Sequence, residues 1–167
     1  MELKNEVTNN SGLETIARVG QSFRLPAAFD TLTWYGKGPW ETYADRKDAA
    51  LIGLYTSSVA EQHVPFAVPC ECGGHEDTRF AALSDGTHTV QIVGSDDFHF
   101  SALPYSIAEY RKATYEEELP EQTTGTWLIL DVAHAGLGGD TGWTKNIHPE
   151  YRVCKGRYSY TFRFHFA

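Results

Sequence analysis

The chain has 167 residues, of which 41% are hydrophobic and 22% charged, the balance of an ordinary globular domain. Its formal net charge of −8 at pH 7 argues against a nucleic-acid partner, because phosphate binding needs a basic surface. The sequence has no apolar run of membrane-spanning length and no signal-peptide core after Met1. We therefore predict a cytoplasmic protein with no membrane contact.

The first half of the chain shows strand-like alternation broken by glycine and proline. Residues 16–25 alternate between apolar and polar side chains, which predicts a strand. Residues 46–54 have a composition that suits a turn or two of helix. Two further alternating runs, 79–84 and 87–93, flank Asp85-Gly86, a dipeptide typical of a tight type I′ hairpin turn.

The second half contains one helix signal and two more strands. Ser106 and Glu109 have the spacing of a capping box, so one short helix is expected within residues 106–118. Residues 125–132 form a strand candidate. Residues 158–166 place five aromatic side chains on one face and polar side chains on the other, which predicts a half-buried antiparallel strand.

The cysteines argue against a disulfide framework and against zinc. Their number is three and therefore odd, and Cys70 and Cys72 are too close for an unstrained mutual bridge. Possible metal ligands crowd the same segment: Cys70, Glu71, Cys72, His75, Glu76 and Asp77. A structural zinc site needs a second ligand pair at a defined distance, and Cys154 stands alone. The sequence therefore predicts free thiols and no metal.

Two segments are unusual enough to suggest a site. In residues 34–46 a strand enters an irregular turn, where acidic side chains and an arginine can pair within the loop. We interpret this segment as a rigid, ion-paired corner formed by Trp34, Gly36, Gly38, Pro39, Glu41, Tyr43, Asp45 and Arg46. In residues 134–143 four glycines precede Trp143. Two interpretations stay open for this ring: an exposed platform that stacks on a ligand, or a plug in a neighbouring core.

Motifs for complete catalysis are missing. The sequence has no GxSxG elbow, and the glycines of residues 136–139 lack the lysine of a phosphate-binding loop. Glycoside hydrolysis needs two carboxyl groups about 5 to 9.5 Å apart, and the sequence selects no pair among its 22 acidic residues.

Both unusual segments resemble the β-galactosidase small-chain domain, the C-terminal domain of glycoside hydrolase family 2 β-galactosidases. The run WYGKGPWETYADRKDAALIGLY resembles the family's W-x-G-x-GP-x-E-x-Y-x-DR signature, and HAGLGGDTGW resembles its second signature. The lead-in at residues 18–20 and the closing GRYSYTFRF also match. The resemblance therefore covers essentially the whole chain.

The resemblance implies an all-β fold: a galactose-mutarotase-like β-supersandwich of antiparallel sheets with at most short helices. Residues 1–167 would form one such domain, truncated at its N-terminus by about half of the family's length. The family's catalytic glutamates lie on a separate (β/α)₈ barrel, so no catalytic residue and no cofactor are expected here; the family's Mg and Na ions are mostly bound elsewhere. Trp143 would stack on the sugar, with His134 and Asp140 shaping its loop.

The expected function is that of a non-catalytic module that completes the sugar site of a β-galactosidase barrel during hydrolysis of β-D-galactosides. Its expected partners are a galactoside, the barrel domain or subunit, and a second copy of the chain, because half a supersandwich exposes apolar edges. One alternative is a free-standing carbohydrate-binding module. Another is an aldose-1-epimerase-like enzyme, which needs a histidine and a glutamate in one cleft. The candidate histidines are His63, His75, His88 and His99, and no spacing selects among them.

Overall fold

The computed structural model describes residues 1–139 and 146–167. Within these ranges the strands are β1 (Glu2–Asn9), β2 (Thr15–Ile16), β3 (Arg18–Leu25), β4 (Thr31–Gly38), β5 (Leu51–Ser58), β6 (Gly74–Ser84), β7 (Thr89–Leu103), β8 (Thr126–His134), β9 (Val153–Cys154) and β10 (Gly156–Phe166). One helix, α1 (Ile107–Lys112), and three 3₁₀ turns at Ala60–Gln62, Glu116–Glu118 and Pro149–Tyr151 complete the described elements. None of the described helices has the length and apolar character needed to cross a membrane.

In the described ranges all strand pairs are antiparallel, and eight strands form one sheet in which β7 pairs with β6, β8 and β10. The sheet runs β1-β10-β7-β6-β4-β5, while β8 pairs with both β7 and β3. The first part of β7, Val90–Gly94, pairs with β10, and its last part, His99–Leu103, pairs with β8. The small pair β2-β9 stands apart. The all-β, antiparallel prediction is confirmed.

The two branches that leave β7 pack against each other and enclose the main core. Phe23 of β3 meets Phe164 of β10 edge to face, with ring centroids 5.3 Å apart. The Gln21 side chain of β3 donates a 2.7 Å hydrogen bond to Asn5 of β1. The resulting core joins buried residues from both branches with residues of β7 such as Ile92, in the first part of that strand. A single sheet thus folds back on itself as a sandwich.

Local patterns predicted several elements. β10 buries alternate aromatic residues, as its period of two requires, although Phe166 at its end is exposed. Ser106 is the N-cap of helix α1, and its side chain and that of Glu109 form both hydrogen bonds of a capping box. The helix covers a second small core of Cys72, Leu103, Tyr110 and Leu119.

Two local predictions were wrong. Residues 46–54 are not helical: Lys47 and Ala50 form a turn, and β5 begins at Leu51 because its backbone pairs with β4. The hairpin at Asp85-Gly86 is not a two-residue type I′ turn, since Ser84 pairs with Thr89 across a four-residue loop. The Asp85 carboxylate accepts the backbone N–H groups of Thr87 and His88, and this capping stabilises the wider loop.

Candidate functional site

The corner of residues 34–46 is built on a buried tryptophan and closely packed glycines. The Trp34 ring is buried beside Tyr55 and His75, and its indole N–H donates to the carbonyl of Lys37 at 3.0 Å. A Cβ atom on Gly36 would lie 2.7 Å from Thr78 Oγ1, so the strand can approach β6 only with glycine at this position. The chain then turns through a cis peptide bond at Gly38–Pro39.

Glu41, Tyr43 and Arg46 hold this corner together. Glu41 forms an ion pair with Arg46, and its second oxygen accepts the backbone N–H of Gly73 at 2.8 Å. The backbones of Tyr43 and Arg46 pair as an isolated bridge. Burial, with the nearby Glu71 and Glu41 carboxylates, raises the pKa of the Tyr43 phenol, so this side chain stays neutral.

Asp45 does not pair within the corner, as the sequence interpretation had it, but reaches the glycine-rich loop after β8. Its carboxylate accepts backbone N–H groups from Leu137 at 3.0 Å, Gly138 at 2.6 Å and Gly139 at 3.0 Å. Partial burial opposes its ionisation, but the three amides outweigh burial and lower the pKa of Asp45. We call this arrangement the Asp45 clamp.

The glycines of this loop allow the close approach that the clamp requires. A Cβ atom on Gly136 would lie 2.5 Å from Asp45 Oδ2, and one on Gly139 would lie 2.6 Å from the Asp45 carbonyl oxygen. Gly138 adopts a φ of 82°, which favours glycine. The backbone of Gly136 also donates to the carbonyl of Tyr151 at 2.9 Å. The loop is thus fixed from two sides just before residue 140.

Charged side chains lie buried beneath the start of this loop. Arg18 donates to both oxygens of Asp131, the closer contact being 2.7 Å, and to Glu71 Oε2 at 3.0 Å. The side chain of Asp131 is 1% exposed, so Arg18 supplies the countercharge that its burial demands.

Two stacked histidines adjoin this ion-pair network. The rings of His99 and His134 lie 4.4 Å apart between centroids, and His134 Nε2 lies 3.7 Å from Glu71 Oε1. His99 Nδ1 donates to Glu76 Oε1 at 2.9 Å. Burial opposes ionisation of Glu71, but its contact with His134 and the charge of Arg18 outweigh burial and lower the pKa of its carboxyl group.

A family model covers almost the whole chain. The family model described as beta galactosidase small chain matches residues 1–164. The chain belongs to this beta-galactosidase small-chain family. The predicted family is therefore confirmed.

Relatives of this small-chain domain are much longer proteins. It is 38% identical over 160 residues to a beta-galactosidase of Vibrio cholerae, covering 96% of the chain and 15% of that protein. It is 36% identical over 162 residues to a beta-galactosidase of Priestia megaterium, covering 96% of the chain and 16% of that protein. It is 40% identical over 146 residues to beta-galactosidase 2 of Enterobacter cloacae, covering 87% of the chain and 14% of that protein. The chain thus spans about 15% of the length of the curated relatives it matches.

The predicted site residues fall into three places in the small-chain domain. The corner residues lie in the second half of β4 and in the loop that leads to β5, with Asp45 as their link to the glycine-rich loop. His134 ends β8, and its buried side chain donates to the carbonyl of Ala135 at 2.7 Å. Asp140 and Trp143 lie outside the described residues, so their predicted roles stay predictions.

The cysteines and His75, considered above as possible zinc ligands, do not converge on one point. Cys70 and Cys154 are exposed, while Cys72 is buried near Tyr110, and all three are free. Burial, more than any other influence, raises the pKa of the Cys72 thiol to about 11. His75 faces elsewhere, toward Gln62 and Lys37. The structure therefore does not bring the three thiols and His75 together as zinc ligands.

Sequence reasoning missed the partnership of Arg18, Glu71, His99 and Asp131. One signal was available: Asp131 interrupts the apolar run Leu128–Val132, and a buried acid in such a strand needs a cationic partner. No local pattern identified that partner, because Arg18 lies 113 residues away.

Proposed function

We propose that this chain is the non-catalytic small-chain module of a β-galactosidase, and that it presents the loop after β8 to the sugar bound by a separate catalytic barrel. In this proposal Trp143 stacks on the galactoside. His134 and Asp140 shape its loop, and the acid/base and nucleophilic carboxylates belong to the barrel. The module itself supplies no catalytic residue.

The Asp45 clamp is the observation that carries this proposal. A stacking ring contributes most when the backbone that carries it is already ordered, because the entropy of ordering then does not oppose binding. The clamp fixes Leu137, Gly138 and Gly139, and Trp143 follows only four residues after Gly139. The two sequence signatures of the family thus act together: the first supplies the carboxylate that holds the second.

An unpartnered apolar edge supports the need for a larger assembly. Among the described residues β5 pairs only with β4, and it exposes Leu51 by 75% and Leu54 by 67%. Trp40 in the adjoining corner is also largely exposed. An edge strand that is both apolar and open is normally covered by another domain or subunit. We propose that the barrel-bearing part of the enzyme covers this edge.

The epimerase alternative receives less support from the geometry. It requires a histidine and a glutamate that both reach a sugar. His99 does pair with Glu76, but its side chain is only 3% exposed and leaves little room for a substrate. The carbohydrate-binding alternative differs from the main proposal only in whether this chain holds a galactoside by itself.

Reconstitution tests the proposal directly. A β-galactosidase barrel that lacks this domain is combined with the chain, and hydrolysis of a chromogenic galactoside is followed. We expect no hydrolysis by the chain alone, restoration by the pair, and a loss of about 1–3 kcal/mol of sugar recognition for Trp143→Ala. Trp127→Ala, at the opposite end of β8, is the matched control and should keep the kinetics of the wild type.

Two results would count against the proposal. One is hydrolysis that never returns on combination, with both parts folded by circular dichroism. The other is a Trp143→Ala enzyme with unchanged kcat and KM. Titration of the isolated chain with galactose, followed by tryptophan fluorescence, separates the alternatives: saturation favours the free-standing module, and a flat titration favours a shared site.

A further inference from the structure

Two buried histidines and a carboxylate converge below the glycine-rich loop. One ligand atom each from Glu71, His99 and His134 lies within 4.8 Å of the others, a grouping found in the part of the chain that the structure describes. We propose that these three side chains form a binding site for a divalent transition-metal ion of the zinc type. This site goes beyond the proposed function and does not rest on it. It also departs from the sequence prediction of no metal in this chain.

The Nδ1 hydrogen bonds of both rings leave each Nε2 available to a metal ion, which would replace the contact between His134 Nε2 and Glu71. Nδ1 of His99 donates to Glu76, and Nδ1 of His134 donates to the carbonyl of Ala135. A neutral imidazole that donates from Nδ1 carries its lone pair on Nε2. Metal-binding histidines are typically oriented in this way, by a carboxylate or a backbone carbonyl on the opposite nitrogen.

Two of the three groups are left with unsatisfied polar atoms. His99 Nε2 and Glu71 Oε1 are buried and make no hydrogen bond to any described residue. Buried polar atoms without a partner are uncommon, because their desolvation is not compensated. A cation between them would satisfy both atoms at once. The unpaired nitrogen of His99 is the independent sign of a ligand, since its side chain is almost fully buried.

Arg18 orients the carboxylate rather than occupying the site. Its guanidinium binds Glu71 Oε2 and both oxygens of Asp131, so its charge is shared between two acids. This leaves Glu71 Oε1 on the side of the histidines, 3.7 Å from His134 Nε2. A cavity of about 210 Å³ borders His99 and His134 but is not lined by Glu71.

The donor set selects the class of ion. Two imidazoles and one carboxylate suit zinc and neighbouring transition metals, whereas magnesium prefers oxygen ligands only. Zinc bonds of about 2.0–2.1 Å place tetrahedral ligands about 3.4 Å apart, so ligand atoms that now lie within 4.8 Å of one another must approach by up to about 1.4 Å on binding. The ring planes of His99 and His134 are now inclined to each other by 25°, and they would tilt further so that both nitrogens point at the ion.

Metal titration of the purified protein, in whatever assembly it is isolated, tests the site without any sugar. After removal of bound metal with a chelator, Zn²⁺ binding is measured by equilibrium dialysis, and Co²⁺ binding by its visible absorption. We expect one equivalent per chain, with millimolar Mg²⁺ unable to compete. His99→Gln and Glu71→Gln should each weaken Zn²⁺ binding by about 10-fold or more, and Glu76→Gln by about 10-fold.

Controls separate this site from adventitious binding. The exposed His165→Gln variant and the Cys70→Ser/Cys154→Ser double variant should bind Zn²⁺ as the wild type does. The proposal is overturned if the wild type shows no saturable binding, if the double variant abolishes it, or if His99→Gln binds unchanged. The Co²⁺ spectrum of the wild type provides an answer even where a variant fails to fold, because imidazole ligation shifts the absorption of the aqueous ion.

Discussion

The carboxylate of Asp45 accepts a 2.6 Å hydrogen bond from the backbone amide of Gly138, 93 residues further along the chain. This contact joins the loop between β4 and β5 to the loop after β8. It therefore connects the two signature segments of the family through one side chain and a backbone.

Replacement of Asp45 by alanine should loosen the loop before residue 140. Three amides lose a charged acceptor, and those of Leu137 and Gly139 regain water because both residues are exposed. We expect the free energy of unfolding to fall by about 1–2 kcal/mol in urea denaturation. In a reconstituted β-galactosidase, KM for the galactoside should rise.

The matched control for this change is Asp48→Ala, an exposed acid in the same loop. It should leave both stability and KM close to the wild type. Equal effects of the two substitutions would mean that net charge, and not the clamp, determines the result.

The contribution of the Asp45 clamp should depend on pH in the acid range. The folded-state pKa of Asp45 lies below the ordinary value of 3.8, so its stabilisation is fully present above that value and is lost as pH falls through the lowered pKa. The stability difference between the wild type and Asp45→Asn should stay constant from neutral pH to about pH 5 and shrink below about pH 4. A difference that persists undiminished near pH 2 would contradict this expectation.

His75 should remain neutral far below the usual range of a histidine. Burial lowers its pKa from 6.5 to about 3, and its ring nitrogens face Gln62 and the carbonyl of Lys37. In the unfolded chain this histidine is protonated as pH falls below about 6.5, whereas in the folded chain it stays neutral. His75 therefore lowers the free energy of unfolding as pH falls from 6.5 toward 3. Ring ¹⁵N shifts in an NMR titration should show no protonation of His75 above about pH 4; a midpoint near 6.5 would refute the assignment.

The three thiols should differ in reactivity. Cys154 and Cys70 are exposed, whereas Cys72 is buried and has its pKa raised to about 11. Ellman's reagent at about pH 8 should therefore modify two thiols of the native protein and the third only after unfolding in guanidinium. Cys70 should react slowly, because burial and the carboxylates of Glu41 and Glu71 raise its pKa. The Cys70→Ser/Cys154→Ser variant should show no fast reaction.

Much of the fold could be predicted because its signals are local. The alternation in β10 and the capping box of Ser106 and Glu109 each lie within one short segment, so their residues interact wherever the rest of the chain goes. The edge strand β5 was missed because its sequence begins with apolar residues on both faces, Leu51, Ile52 and Leu54, and so lacks apolar–polar alternation, although its burial alternates. Its identity as a strand comes from pairing with β4 rather than from its own pattern.

The candidate site was only partly predictable, because its contacts join distant segments. Sequence reasoning singled out the corner and the glycine-rich loop but kept the bonds of Asp45 within the corner. Nothing near Asp45 in the sequence indicates that amides of the loop after β8 will approach it. The same reason hid His99 and Glu71, which adjoin His134 only through the packing of β6, β7 and β8.

The divided pairing of β7 bears on how the protein unfolds. The strand contributes hydrogen bonds to β10 through its first part and to β8 through its last part. The two layers of the sandwich therefore cannot separate as independent units, since each would have to release the same strand. Loss of either layer removes a neighbour from the other, and the domain is expected to melt in a single cooperative transition.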